Sequence, residues 1–576
     1  MKKLLFIMSD TFNWNFDTWE VIKNFLNHQN GGHCVAHQIE SYNTFIDSYL
    51  PECVKQNNPI TLSYLDKDKK YEIGVTFDEI YLMPAIIHEN DGSTKKMQPE
   101  EARLRNFTYS SDLYTDITIR CKVDGNETKK KLSKISLGKI PVMLKSKLCI
   151  LNNINTVEKQ YECKFDLGGY FIINGSEKAV VSQERRAENR IYVCKNVKSQ
   201  AKYSCVAECH SVPTGRILTP KSVQVKIMSK GTLRGKQIKV SIPHIRQDIP
   251  LSVIFKCLGV VKDKQILEYI VNDINNPANI EYINIIRTSL EDENEIKTQD
   301  EAYEYISKYV ILTGYYSYYK DKDKIDIAKK ISIVKEIIKN DLLPHIGQNI
   351  NRKCIFLGII TFKMLKVYLG YRGYDDRDSM LNKRIDTPGV LMANLFRVNF
   401  NKLIKDMKIQ INKEFINGSW KAMDTFGEII NDTNIYKLIK SSTITTGLKY
   451  ALATGNWGLK NIVNKQGIAQ VLNRLTYNSS LSHLRRVNTP IEKTGKLIGP
   501  RKLHNTQWMC MCPHETPEGG SVGIVKNMAL TTYITNYSNP QPNPSCSGGF
   551  SDGNGGCMDP SGDMQLPDPN IDRLNQ

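Results

Sequence analysis

Two kinds of hydrophobic spacing divide this chain and restrict its fold more than any other feature. From about residue 60 to 240, short β-branched and aromatic runs such as "YEIGVTF" and "SVQVKIMSKG" alternate with turn residues, which is typical of strands. From about 265 to 440, apolar residues recur at helical spacing, as in "QILEYIVNDI". The sequence therefore predicts an α+β multidomain protein, and its 576 residues are enough for three or four modules.

Several segments support this division individually. Amphipathic helices are predicted in "FDTWEVIKNFLNHQ" and "HQIESYNTFIDSYL", and a strongly apolar helix in "CIFLGIITFKMLKVYLG". Pro388 stands near the start of a long helix, where its missing N–H costs little, and Pro141 indicates an edge strand or a strand entry. The last 39 residues, from Ser538, hold six Pro and six Gly with few aliphatic residues, so a disordered tail is predicted.

The charge balance indicates a polyanionic partner. Lys and Arg outnumber Asp and Glu by 78 to 60, which favours nucleic acid over a merely soluble basic protein without excluding the latter. The apolar run Leu4–Met8 is too short for a signal peptide, and no apolar stretch approaches the roughly 20 residues of a membrane span. We therefore expect a soluble intracellular protein with reduced cysteines and no membrane contact.

Cysteine and acidic clusters offer weaker functional hypotheses. "CVAECH", from Cys205 to His210, has no second Cys/His pair at the spacing of a structural zinc site, and "CMC" is expected to be a core strand. The carboxylates of "YDDRDSM" could bind Mg²⁺ for phosphoryl transfer. The arginines and lysines around them favour an ion-pair network instead, so we predict no metal site in this chain.

The strongest functional signal is a basic segment. Seven lysines and arginines lie from Arg474 to His504 against one acid, Glu492, and Pro and Gly stiffen the loop. Gln470 and Arg474, four residues apart, are predicted to share one helical face. Arginine binds phosphate bidentately, so the segment is a candidate nucleic-acid contact; a solvated basic loop stays the alternative. The candidate residues are Gln470, Arg474, His483, Arg485, Arg486, Lys493, Lys496, Arg501, Lys502 and His504.

Six stretches, in order along the chain, resemble the second-largest (beta-type) subunit of multisubunit DNA-dependent RNA polymerase. They are similar to the eukaryotic, archaeal and large-DNA-virus forms rather than to the bacterial one. The stretches are "EARLRNFTYSSDLY", "GGYFIINGSEKAVVSQER", "DDRDSMLNKRIDTPGVLMANLFR", "ALATGNWG", "QVLNRLTYNSSLSHLRRVNTP" and "KLHNTQWMCMCPHETPEGGSVGIVKN".

The resemblance implies a division into protrusion, lobe and fork modules. It assigns residues 1–197 to the first part of the protrusion, 198–372 to an inserted lobe, 373–440 to the helical return of the protrusion, 441–535 to the fork and 536–576 to the tail. It also implies that the "ETPEG" turn approaches the active centre, with Glu518 as the nearby carboxylate. The catalytic Mg²⁺ is implied to be held mainly by the largest subunit, not by this chain.

The resemblance further implies a part in template-directed RNA synthesis. The implied partners are the largest and other polymerase subunits, the DNA template, the RNA transcript and nucleoside triphosphates. The implied location is the nucleus, cytoplasm or virion, depending on the source. The chain alone is expected to be inactive, because the metal ligands belong to its partner. A non-catalytic nucleic-acid-binding remnant or a split-subunit fragment is the competing hypothesis.

Overall fold

A computed structural model describes most of the chain between residues 34 and 534. The described residues are 19–20, 23–24, 34–66, 69–123, 126–153, 162–195, 202–213, 218–231, 235–291, 296–311, 327–417, 430, 434–459, 462–491, 495 and 497–534. The predicted tail and most of the first predicted helix lie outside them.

The strands and helices alternate in blocks, as the hydrophobic spacing predicts. The strands are β1 (Ile60–Asp66), β2 (Lys69–Leu82), β3 (Ile86–His88), β4 (Thr94–Lys96), β5 (Ser110–Val123), β6 (Asn126–Pro141), β7 (Phe171–Ile173), β8 (Ser176–Val180), β9 (Ser182–Arg186), β10 (Ile191–Lys195), β11 (Tyr203–Ser211), β12 (Lys221–Met228), β13 (Ile238–Ser241), β14 (Ile249–Pro250), β15 (Lys383–Asp386), β16 (Trp457–Leu459), β17 (Ile462–Lys465), β18 (Ala469–Val471), β19 (Arg486–Asn488) and β20 (Val525–Asn527). The helices are α1 (Ala36–Thr44), α2 (Leu50–Lys55), α3 (Pro99–Leu104), α4 (Leu251–Cys257), α5 (Asp263–Val271), α6 (Ile280–Glu291), α7 (Gln299–Ser307), α8 (Ile327–Glu336), α9 (Ile350–Tyr368), α10 (Pro388–Asn417), α11 (Ile435–Leu438), α12 (Ser442–Thr454) and α13 (Tyr477–Leu484).

The chain folds into two compact units. Unit 1 comprises the described residues within 1–185 and 384–538, and unit 2 comprises those within 186–383. One unit is thus assembled from two chain segments that flank the other. The α+β class is confirmed by this mixture of helix and sheet. The assignment of residue ranges to protrusion, lobe and fork stays a prediction.

Unit 1 is built on mostly antiparallel sheets and one long helix. One sheet has the order β1-β2-β5-β6, so Pro141 ends an edge strand, as predicted. The 30-residue α10 begins at Pro388, also as predicted. A Cβ atom on Gly389 would lie 1.8 Å from the Ser41 carbonyl oxygen, so only glycine allows α10 to approach α1 this closely. Between them the rings of Phe45 and Phe396 meet edge-on at 6.4 Å.

Unit 2 combines a five-stranded antiparallel sheet with helices. Its order is β10-β11-β12-β13-β14. Burial alternates along β11, so Cys205 and Cys209 point into the core beside Ala207. Burial raises the pKa of Cys205 to about 11 and of Cys209 to about 12, which disfavours the thiolates that a metal would require. The "CVAECH" stretch is therefore a core strand.

The apolar helix α9 is buried along most of its length, and the acidic stretch after it forms ion pairs. Asp375 lies 2.9 Å from the Lys363 amine and 3.7 Å from the Arg372 guanidinium. Its carboxylate also accepts the Val193 amide at 2.8 Å. The predicted ion-pair network in "YDDRD" is confirmed for Asp375. The predicted strand through Cys510 and Cys512 is wrong: Cys510 lies in a turn, and Met511 makes only an isolated bridge to Met528.

No helix among the described residues combines the length and the apolar character needed to cross a bilayer.

Candidate nucleic-acid interface

The basic segment is built into the sheets of unit 1. Strand β18 pairs with β8, and β19 pairs in parallel with β9 and antiparallel with β20. Between them Thr476 begins α13, because its side chain accepts the Ser479 amide in a capping box. The predicted helical face through Gln470 and Arg474 is wrong. Gln470 lies on β18 and Arg474 in the loop before α13, since sheet pairing with β8 overrides the local helical spacing.

Gln470 and His483 bind each other. The Asn473 amide donates to His483 Nδ1 at 3.1 Å, so His483 Nε2 carries the proton and donates to Gln470 Oε1, also at 3.1 Å. Burial, reinforced by the Arg486 charge, lowers the pKa of His483 to about 4. The imidazole is therefore neutral at pH 7 and supplies no positive charge to a polyanion.

Arg474 is held by carboxylates of unit 1. Its guanidinium lies 2.8 Å from Asp166 and 2.7 Å from Glu177, and it covers the Tyr170 ring at 4.9 Å. Burial opposes its charge, but the Glu177 hydrogen bond and the neighbouring Tyr170 and Asp166 outweigh burial and raise its pKa. Arg103 binds the same Glu177 at 2.8 Å. The charge of Arg474 is thus balanced within the protein.

Arg485 points inward. Its side chain is 4% exposed, and the guanidinium donates to four backbone carbonyls. These belong to Cys34, Ala529, Leu530 and Thr532. Burial lowers its pKa. The arginine joins the chain just before α1 to the chain beyond β20, so its geometry favours a structural role over phosphate binding.

Arg486, its neighbour, is different. It is half-buried on β19, opposite Asn527. The Nε atoms of both arginines are buried without a partner among the described residues, but the Arg486 guanidinium, unlike that of Arg485, forms no other hydrogen bond or ion pair with them. Burial lowers its pKa, an effect that the nearby Glu515 carboxylate opposes. An arginine without a bound acceptor is available for one supplied from outside the chain.

In the loop after β19, some basic residues are bound within the protein and others are exposed. Arg501 donates to the Gly520 and Val522 carbonyls at 2.8 and 3.0 Å. A Cβ atom on Gly523 would lie 2.1 Å from the Arg501 oxygen, so the loop and the "ETPEGG" turn are packed backbone to backbone. His504 begins a short 3₁₀ turn by accepting the Thr506 amide. Lys502 is exposed. The predicted contacts Lys493 and Lys496 lie outside the described residues.

The "ETPEGG" turn presents Glu518 to solvent. Thr516 accepts the Gly523 amide at 3.0 Å and donates to the Val525 carbonyl at 2.9 Å, which closes the turn. Gly519 has φ of +81°, a conformation that glycine adopts without strain. The Glu518 side chain is exposed and makes no ion pair with the described residues. The alternative role for Glu518, an ion pair with a neighbouring lysine or arginine, is therefore not observed among the described residues.

Sequence reasoning missed three contacts around this turn. Glu515 accepts a hydrogen bond from the Ser482 hydroxyl of α13, and its carbonyl accepts the Asn527 side chain at 3.1 Å. Lys526 lies 2.8 Å from Glu184, and both side chains are buried. Ser482 lies 33 residues from Glu515, and Glu184 lies 342 residues from Lys526, so no local spacing could have identified these two pairs.

The part of the chain that the structure describes shows no evident ligand set for Mg²⁺. No group of three or more His, Cys, Asp or Glu side chains suited to a metal ion occurs among the described residues. Glu518 is a single carboxylate on a turn, and a hard divalent cation in a protein site needs several oxygen ligands. We assign no metal-dependent step to these residues.

Comparison with known proteins connects these elements to one family. A family model described as "RNA polymerase beta subunit" matches residues 33–446, and one described as "RNA polymerase Rpb2, domain 3" matches residues 470–534. The chain is 38% identical over 545 residues to DNA-directed RNA polymerase II subunit 2 of Arabidopsis thaliana, covering 90% of this chain and 43% of that protein. It is 33% identical over 509 residues to DNA-directed RNA polymerase subunit Rpo2N of Methanococcus vannielii, covering 87% of this chain and 93% of that protein.

The two relatives differ in how much of their own length is matched. The chain spans less than half of the polymerase II subunit and almost all of the Rpo2N subunit. The second family match covers the basic segment, α13 and the "ETPEGG" turn in one piece. The predicted resemblance is confirmed: this chain belongs to the RNA polymerase beta subunit family.

Proposed function

We propose that the chain serves as part of the second-largest subunit of a DNA-directed RNA polymerase. In this role it assembles with the largest subunit and other polymerase subunits around DNA template, RNA transcript and nucleoside triphosphates. The support is its family membership and the match to nearly the full length of an Rpo2N subunit. The reaction joins the RNA 3′-hydroxyl to the nucleotide α-phosphate and releases pyrophosphate, with Mg²⁺ held mainly by the largest subunit.

The named modules are part of this proposal. Unit 2 is proposed to correspond to the lobe, the two segments of unit 1 to the protrusion, and the region from 441 to 535 to the fork. The observation that favours this assignment is the interruption of unit 1 by unit 2 along the chain, since an inserted lobe requires it.

The single observation that carries a nucleic-acid role is the unsatisfied Arg486. Arg474 and Arg485 have internal acceptors, and His483 is neutral, whereas the Arg486 guanidinium has no hydrogen-bonding partner among the described residues. Exposed Lys502 lies on the loop that packs against the "ETPEGG" turn. We therefore propose Arg486 and Lys502 as phosphate contacts, with Lys493 and Lys496 added on sequence alone.

Glu518 is proposed to lie near the active centre, where it tunes the reaction without completing it. Its exposure, the closed turn that carries it and the lack of an ion pair with any described residue support this role. A carboxylate on a rigid turn can be placed beside an incoming nucleotide with little loss of conformational entropy.

The test is a salt titration of template binding by the reconstituted enzyme. Neutralising a phosphate contact reduces the slope of log K against log salt by about one unit per contact. We expect Arg486→Gln and Lys502→Gln each to reduce the slope in this way. The matched control is Arg474→Gln, which removes a charge already balanced by Asp166 and Glu177. Unchanged slopes for Arg486→Gln and Lys502→Gln would reject the proposed contact set.

The competing hypothesis is a non-catalytic nucleic-acid-binding remnant. An assembly experiment distinguishes it from a polymerase subunit. A polymerase subunit co-purifies with a largest subunit and supports elongation after reconstitution. If the chain bound nucleic acid but associated with no largest subunit, the polymerase proposal would fail.

A further inference from the structure

Arg501 connects the loop after β19 to the turn that carries Glu518. Its guanidinium Nη1 donates to the Gly520 carbonyl at 2.8 Å and to the Val522 carbonyl at 3.0 Å. Both carbonyls follow Glu518 closely on the same turn. A longer contact of 3.4 Å joins Nη2 to the Gly495 carbonyl, which precedes Arg501 in the loop. One side chain therefore binds the turn and the loop together.

The tip of the turn, residues 519–522, depends on this side chain. Thr516 closes the base of the turn through the Gly523 amide and the Val525 carbonyl. Beyond that base, the tip is rich in glycine and exposed or half-buried, and glycine permits many backbone conformations. Among the described residues, Arg501 is the only side chain outside the turn that hydrogen-bonds the tip. The direction of the tip is therefore determined by Arg501.

Arg501 is itself held by the backbone around it. It ends a short 3₁₀ turn, Gly499–Arg501, which contains Pro500. Its amide donates to the Ile498 carbonyl at 3.1 Å. Its own carbonyl oxygen packs directly against Gly523, where a Cβ atom would lie 2.1 Å away. Because proline fixes one dihedral of this turn, Arg501 is the more rigid partner and the glycine-rich tip is the more adaptable one.

The acceptors of Arg501 differ from those of Arg485. Gly520 and Val522 are exposed, whereas Cys34 is buried. An exposed carbonyl regains a hydrogen bond from water when its donor is removed, so loss of the Arg501 donors costs the folded unit little. The contacts of Arg501 therefore determine where the tip lies and not whether unit 1 folds.

We propose that Arg501 is a positioning residue for Glu518, holding the tip of the turn so that the carboxylate stays in one place beside the loop after β19. A guanidinium suits this task, because its planar group presents donors in fixed directions, which an ammonium on a flexible stem does not. A displacement of about 1 Å is enough to weaken the effect of a group on a reaction. The inference rests on the proposed role of Glu518 and replaces the phosphate contact predicted for Arg501 from the sequence.

A double-mutant cycle in the reconstituted enzyme tests this role. Elongation rate and fidelity are measured for Arg501→Met, Glu518→Ala and the double variant. We expect Arg501→Met to change both quantities in the same direction as Glu518→Ala. The double variant should match Glu518→Ala within about twofold, because the contribution of the carboxylate cannot be lost twice. Effects that multiply in the double variant would overturn the proposal.

Arg105→Met is the matched control for this cycle. Arg105 also lies in unit 1, and its guanidinium binds Glu89 at 2.7 Å and Glu101 at 2.8 Å, far along the chain from the turn. Its replacement removes hydrogen bonds of an arginine without touching the tip, so elongation and fidelity should not change. A change equal to that of Arg501→Met would show that the loss of any bound arginine suffices, and would overturn the proposal.

A salt titration of template binding separates positioning from phosphate binding. Arg501→Met should leave the slope of log K against log salt unchanged, because the guanidinium donates to carbonyls of the protein. A slope reduced by about one unit would instead make Arg501 a phosphate contact and overturn the proposal.

Hydrogen exchange in the full chain tests the positioning without any measurement of activity. The Val522 and Ile524 amides donate within the turn at 3.2 and 3.1 Å. Arg501→Met should accelerate their exchange by about fivefold or more, because the turn loses two hydrogen bonds from a charged donor. The urea midpoint of unit 1 should not change. Unchanged exchange at the turn, or a lowered midpoint with faster exchange throughout unit 1, would overturn the proposal.

Failure of this inference differs from failure of the proposed function. If Glu518→Ala leaves elongation and fidelity normal, the proposed role of Glu518 is wrong and the positioning role falls with it. If Glu518→Ala changes them but Arg501→Met does not, only the positioning role of Arg501 is overturned.

Discussion

Replacing Arg485 by methionine tests whether this arginine is a structural element. The substitution keeps most of the buried volume but removes the donors that serve the Cys34, Ala529, Leu530 and Thr532 carbonyls. The first carbonyl precedes α1 and the other three follow β20. We therefore expect both chain segments to lose their connection, while the β19–β20 pairing persists through backbone hydrogen bonds.

The magnitude follows from the environment of the acceptors. A hydrogen bond from a charged donor contributes about 1.5–3 kcal/mol, and a buried carbonyl left unsatisfied costs about 1–3 kcal/mol. Cys34 is buried, whereas Ala529, Leu530 and Thr532 are half-buried or exposed and regain water when the donor is lost. Relief from burying a charge offsets part of the loss. We expect unit 1 to lose about 2–4 kcal/mol of its unfolding free energy.

Urea unfolding followed by tryptophan emission measures this change, because Trp457 is buried in unit 1 and donates to the Leu391 carbonyl at 3.0 Å. Hydrogen exchange should also accelerate at residues 529–534. Arg486→Met is the matched control; with no bound acceptor to lose, it should cost less than about 1 kcal/mol. Equal destabilisation by the two variants would refute the assignment of structural and binding roles. So would a reduced salt slope for Arg485→Met.

Three further predictions concern neighbouring groups. The pKa of His483 in the folded chain, about 4, is below its ordinary 6.5, so the unfolded chain binds the proton first as the pH falls. The unfolding free energy should therefore fall by up to about 3 kcal/mol as pH decreases from 6.5 to 4. His483→Gln should reduce that fall in an acid-unfolding series. Lys526→Met leaves Glu184 buried without its cation and should cost about 3–5 kcal/mol in urea unfolding, most of it recovered when Glu184→Gln is added; a double variant no more stable than the single one would contradict this. Glu518→Ala should leave assembly yield and template binding intact but alter elongation rate or fidelity in a reconstituted enzyme; normal values of all of these would reject its place near the active centre.

The sequence by itself determined the class of fold and the family. Alternation in "SVQVKIMSKG" and helical spacing in "QILEYIVNDI" are local properties, because the pleat of a strand and the turn of a helix both act over a few residues. β12 and α5 form at these two stretches, although both elements end three residues before the predicted segments do. Proline lacks a backbone N–H, which is tolerated at the first turn of a helix and on an edge strand. Pro388 therefore predicted the start of α10, and Pro141 predicted an edge strand, β6. The motifs that carry the family resemblance are also contiguous.

Only the tertiary structure decided what each basic side chain does. Arg485 and Arg486 are adjacent and chemically identical, but Arg485 caps the end of α13 whereas Arg486 begins β19, and only Arg485 enters the interior. The acceptors that engage Arg474, Glu177 and Asp166, are about 300 residues away in the sequence. Strand pairing with β8 likewise replaced the helix expected through Gln470. The sequence shows which charged side chains are present. Burial and the position of distant acceptors determine which of these side chains a nucleic acid can reach.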